Sequence, residues 1–126
     1  MGFDSAKYRA AHRLEIRARY RKRCQKMSWA ARVHERHKNL SLVLLERLQR
    51  ETPECLCCGC ELDYELGTHK RRLNSATLDK VVPKLGYIQN NVAIVCWACN
   101  RMKNNMLIDH ARMIVGYIER MTKGNV

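Results

Sequence analysis

Two Cys-x-x-Cys pairs, Cys55/Cys58 and Cys96/Cys99, stand 37 residues apart in a chain of 126. They constrain the fold more than any other feature. Four thiolates at that separation can close one tetrahedral zinc site, so the segment after residue 54 and the segment before residue 100 must meet. Gly59 follows directly on the second cysteine, where a residue free to take positive φ lets the turn point its amides at the thiolates. Cys57 and Cys60 share the same spacing and stand as an alternative pair. Seven cysteines, an odd number, follow an opening MGFDSAKYRAAH with no apolar run behind it. That pattern suits zinc in a reducing setting, cytoplasmic or nucleoid, better than disulfides. No stretch approaches the length of a membrane span, so no membrane partner is expected. A chain this short buries only a modest core, which gives a metal staple weight in the fold.

Between and after the pairs runs TLDKVVPKLGYIQNNVAIVCWACNRMKNNM, residues 77 to 106. Residues 77–82 read as a strand, 83–90 as a connection turning near Gly86, and 91–95 as the return strand. Cys96 then opens a helix. Asp79, Asn91 and Asn100 put one acid and two amides on the arms of that hairpin and helix, from which they can converge on one divalent cation. Residues 63–76 read as a polar loop whose basic run, His69, Lys70, Arg71 and Arg72, can touch a nucleic-acid backbone. Leu107, Ala111, Ile114, Val115, Ile118 and Met121 line one face of a last helix ending near Gly124, a face predicted to be core.

Charge divides the chain. The formal net charge is +12; residues 1–50 carry 14 Lys or Arg against 4 acids, and residues 51–126 carry 10 against 8. A basic arm on a near-neutral domain suits a polyanion, because each Lys or Arg set on a phosphate releases condensed counterions. Nucleic acid is therefore the predicted partner, with Arg13, Arg17, Arg21, Lys22 and Arg23 on the arm and Lys70, Arg71, Arg72, Arg101 and Lys103 beyond it as contacts. Residues 5–49 hold no Pro or Gly and read as helix, capped at Asp4 or Ser5 and broken near Ser28. Leu40, Val43, Leu44 and Leu48 form a stripe that docks the arm's end, Trp29 is predicted to pack on the arm itself, and the long helix offers a place for two copies to pair. The expected architecture is a small α+β fold: a basic helical arm over 1–50, then a zinc-stapled ββα unit with a C-terminal helix over 51–126.

The stretches CLCCG (55–59), TLDKVVP (77–83), GYIQNNVAIVC (86–96) and CWACNRMK (96–103) resemble the HNH endonuclease family. The likeness is to its small phage and recombination branch, the endonuclease VII-like proteins with four zinc cysteines. It covers less than half of the chain. What it implies is a ββα metal finger that hydrolyses DNA phosphodiesters with one magnesium or manganese ion beside a structural zinc. On that likeness Asp79 and Asn100 take the places of the catalytic-metal ligands, and Asn91, or its neighbour Asn90, that of the amide bracing the general base. Lys80 stands where the family has its base histidine. Either Lys80 stabilises the transition state while the metal activates water, or His69 or another group is the base, or the domain binds DNA without cutting it. His12, His34, His37 and His110 read as surface residues. The competing functions are thus a DNA endonuclease or nickase, a non-catalytic zinc-stabilised nucleic-acid-binding protein, and a zinc protein that binds acidic proteins.

Overall fold

The computed structural model describes residues 2, 4–65 and 72–123. His69, Lys70 and Arg71 lie outside the described residues. Helices α1 (Ser5–Cys24), α2 (Trp29–Arg36) and α3 (Leu42–Glu51) come first, followed by strand β1 (Ala76–Lys80) and strand β2 (Val92–Cys96). Helices α4 (Trp97–Lys103) and α5 (Ile108–Met121) complete the order. The small α+β architecture expected from the cysteine spacing is therefore present.

Each early helix begins on a side-chain cap. Asp4 accepts from the amides of Ala6 and Lys7, Ser28 from Ala31, and Ser41 from Leu44. The side-chain oxygen replaces a partner that the first helical amides lack, so the caps fix where helices start. The predicted break at Ser28 is there, and a second one over residues 37–41 was not anticipated. In that bend Leu40 is buried and its carbonyl is bonded by His34 Nδ1 at 2.7 Å, so His34 is a structural residue of the bend. Leu40 thus precedes α3 instead of riding on it. The buried face of α3 becomes Leu44 and Leu45, with Leu48 beside them, while Val43 points outward at 77% exposure.

β1 and β2 pair antiparallel, from Ala76 opposite Cys96 to Lys80 opposite Val92. Both strands lie within one or two residues of their predicted limits. Leu78 and Ile94 are partners across the ladder, and both point into the core with Leu62 and Val95. The other half of this core comes from before residue 50: Trp29, Ala30, Val33, Leu40, Leu44 and Leu45. Apolar burial thus runs continuously from α2 and α3 onto the hairpin, and it is α1 that stands apart, with Cys24 as its one buried residue. Basic residues on nearly every side of α1 leave it no apolar stripe to bury.

Trp29 shares a core cluster with Val33, Leu40, Leu44 and Leu45 of the arm and also reaches beyond the arm to the hairpin. Its ring is buried, meets Tyr64 edge-on at 5.3 Å between centroids, and its Nε1 donates to the Ala76 carbonyl at 3.1 Å. Arg32, also buried, donates to the carbonyls of Met27 at 2.9 Å and Tyr64 at 2.8 Å. An indole N–H and a guanidinium satisfied by backbone carbonyls carry no orphaned donors into the core. Trp29→Ala is expected to cost about 3–5 kcal/mol of stability, read from denaturant unfolding, since it removes the largest ring joining α2 to the hairpin.

α5 departs most from expectation. The face predicted to be core buries nothing: Ile114 is 45% exposed, Ile118 48% and Val115 53%. The amphipathic period is real, but among the described residues no apolar surface covers it. Among the described residues no helix is long and apolar enough to cross a membrane.

Candidate metal centre and the Asp79 face

The turn at 55–60 and the start of α4 bring Cys55, Cys58, Cys96 and Cys99 together, with their sulfurs all within 4.8 Å of one another. Cys58 Sγ lies 3.8 Å from Cys96 Sγ. Ligands about 2.3 Å from a tetrahedral zinc ion sit about 3.8 Å apart, so the cluster has the size of a zinc site. The pairing favoured by Gly59 is the one that assembles, and Gly59 takes φ +80°. Cys57 is exposed and Cys60 sits beside the cluster without joining it.

Backbone amides prepare the sulfurs for negative charge. Cys55 Sγ accepts from the amides of Cys57 and Cys58 at 3.4 Å and of Cys96 at 3.2 Å, while Cys96 Sγ caps α4 by accepting from Cys99 at 3.4 Å. Burial by itself raises the Cys55 thiol, but the amides of Cys58, Cys96 and Cys57 outweigh it and bring it down to about 6. The Cys60 amide chiefly lowers Cys58. Burial pushes Cys99 up, and Cys60 is pushed up to about 12, chiefly by its contact with the Cys58 sulfur. Backbone amides thus ease deprotonation at Cys55 and Cys58. Four thiolates require a cation among them, and a soft divalent ion with tetrahedral preference suits the set.

The second cluster lies where β1 meets α4. Asp79 is buried at 5% exposure, and the residue one turn beyond the last cysteine of α4, Lys103, reaches it: Nζ lies 3.2 Å from Asp79 Oδ1 and donates to the Lys80 carbonyl at 3.1 Å. Lys103, expected on phosphate, is therefore held against the strand. Asn100 follows Cys99 directly, and its Nδ2 donates to Thr77 Oγ1 at 3.0 Å and to the Leu78 carbonyl at 3.4 Å. Both bonds use the amide nitrogen, which leaves Oδ1 uncommitted by them. Asp79 and Asn100 thus face each other's elements across the β1 and α4 seam.

Asn91 is buried and does other work than bracing a side chain. Its Oδ1 accepts from the Val82 amide at 2.9 Å, and its Nδ2 donates to the carbonyls of Val82 at 2.9 Å and Gly86 at 2.7 Å. It thereby fixes the connection after β1, whose bend uses Gly86 at φ +72°. Asn90 is exposed.

Lys80 sits on the other side of the hairpin end, its Nζ 5.6 Å from the centre of the Tyr87 ring. His37 packs on that same ring at 4.1 Å between centroids. Read from sequence as a surface residue, His37 is half-buried, and burial together with Arg36 holds it below the ordinary histidine range. The contact joins residues 50 apart in the chain, and no local signal announces it. Arg101 lies over Trp97 at 5.1 Å, Arg72 faces Asp63 at 3.7 Å on the surface, and Arg13, Arg17, Arg21, Lys22 and Arg23 are exposed along α1.

No family model, no curated protein and no solved structure matches the chain.

Proposed function

We propose that this chain is a metal-dependent DNA endonuclease or nickase of the HNH type, its hairpin and α4 stapled by zinc. The observation that carries the reading is the buried Asp79 carboxylate at the end of β1, facing the Asn100 and Lys103 side of α4 next to the four-cysteine cluster. A carboxylate and an amide oxygen are hard donors of the kind magnesium or manganese takes, so the residues fit such an ion in type. Asp79 and Asn100 would hold it, and once bound it would offset charge on the scissile phosphate and the departing 3' oxygen. Asn91 keeps the connection after β1 in one shape. Lys80 presents an ammonium beside that connection, suited to phosphate charge, on the opposite side of the hairpin end from Asp79.

The basic α1 supplies the long-range attraction. Truncation of residues 1–22, which spares Cys24, the Met27 carbonyl that buried Arg32 uses, and the core, is expected to weaken DNA binding and flatten its dependence on salt. The slope of log affinity against log salt should fall by several units; an unchanged slope removes α1 from the interface.

One observation favours a second reading, a non-catalytic zinc-stabilised nucleic-acid-binding protein: the Asp79 carboxylate already has a cation on it, the Lys103 ammonium. Incubation of the purified protein with supercoiled, linear and branched DNA in magnesium, manganese or chelator separates the two. Metal-dependent nicking supports the nuclease, and binding without nicking in any condition supports the binder.

A further inference from the structure

We propose that α5 is an interface between two copies of this chain, paired antiparallel along their apolar faces. Leu107, Ala111, Ile114, Ile118 and Met121 follow one another at intervals of four and three, the spacing with which two helices interlock side chains along a seam. Val115 widens the stripe. Apart from Ala111, half-buried, these side chains are between 45% and 67% exposed. The exposed area of this row amounts to on the order of 500–600 Å² per copy, at the low end of specific interfaces, which bury roughly 1,200 Å² in total. Exposed apolar surface of that extent on one element marks a contact site.

Charge identifies the occupant. Residues 107–123 carry Asp109 and Glu119 against Arg112, Arg120 and Lys123, a net of +1, in a chain of +12. An acidic partner would be drawn to the basic surfaces, above all α1, and would gain nothing from α5. A second, equally basic copy meets little repulsion along α5, since this segment carries only that +1. α1 has no apolar stripe with which to pair. The positions beside the seam, Ile108, His110 and Tyr117, bear no acid and no Lys or Arg, so two copies bring no repulsion into the contact. Asp109 lies in the first turn of α5 and Arg120 in the last. Antiparallel pairing opposes the macrodipoles of the two helices, whereas parallel pairing aligns them. Self-complementarity of this kind is what a two-fold interface requires.

Sedimentation velocity on the full zinc-loaded chain tests the pairing without nucleic acid, so the result is independent of the nuclease reading. The wild type is expected to run at twice 14.8 kDa at tens of micromolar. Ile114→Glu and Ile118→Glu should each raise the dissociation constant at least about 30-fold, as loss of a central anchor does. Because α5 buries no residue within one copy, both variants should keep their zinc and their unfolding midpoint, and that readout separates a lost interface from a lost fold. A wild type that stays monomeric up to about 100 μM, or a dimer indifferent to both substitutions, would overturn the proposal.

Discussion

Cys55→Ser and Cys96→Ser are each expected to abolish zinc binding and to collapse the hairpin and α4, the largest stability effect of any single change in this chain. Both residues are buried members of the continuous core and of the four-cysteine cluster, and structural zinc in small domains supplies apparent binding energy on the order of 10 kcal/mol. Few contacts could replace that in a domain whose sheet has two strands. Chelation should reproduce the effect and zinc should reverse it, followed by near-ultraviolet circular dichroism and zinc stoichiometry. Every ligand must shed its proton to bind, so zinc affinity falls as pH falls. Cys57→Ser and Cys60→Ser should leave zinc in place. Loss of the ion from either of those two, with retention in Cys55→Ser, would assign the site to the other pair.

The second large effect concerns the pair Asp79 and Lys103. If the chain cuts DNA, Asp79→Ala should lower magnesium-dependent nicking of supercoiled plasmid by at least about 100-fold, because a cation ligand contributes several kcal/mol to the transition state. Lys103→Met should act in the opposite sense on metal: with the tethered ammonium gone, less magnesium is needed for half-maximal nicking. The same substitution leaves a buried carboxylate without its partner when no metal is present. A loss of about 1–3 kcal/mol in stability is expected, discounted for the partial exposure of Lys103, and divalent metal should restore it. Stability that falls without rescue by magnesium or manganese, with no nicking in any variant, is the signature of a structural pair in a binding protein.

The features legible in the sequence are those carried by near neighbours. Cys55 to Gly59 and Cys96 to Cys99 hold their ligands within one turn, so residue type and spacing contain the geometry, and the pattern of β-branched residues around Gly86 contains the hairpin. What sequence reading missed depends on distant partners. Trp29 meets Ala76 and Tyr64, His37 meets Tyr87, and Lys103 meets Asp79; in each case the local pattern permitted a surface or arm placement equally well. The stripe on α5 shows the reverse failure. Periodicity reports that a face is apolar, but not which molecule covers it. The bend at 37–41 was concealed because Asn39, Leu40 and Ser41 sit between strong helix formers, although Ser41 followed by an apolar run is a capping signal.

The 20 residues of α1 span about 30 Å, and along duplex DNA this is about nine base-pair steps. If the chain binds and cuts DNA as proposed, the helix, which buries Cys24 alone among its described residues, would work as a ruler whose far end grips phosphates about nine base-pair steps from that attachment. The position of any cut would then be set by measured distance from an electrostatic foothold, and a helix shortened by one turn would move the cut by one or two base pairs without altering the chemistry.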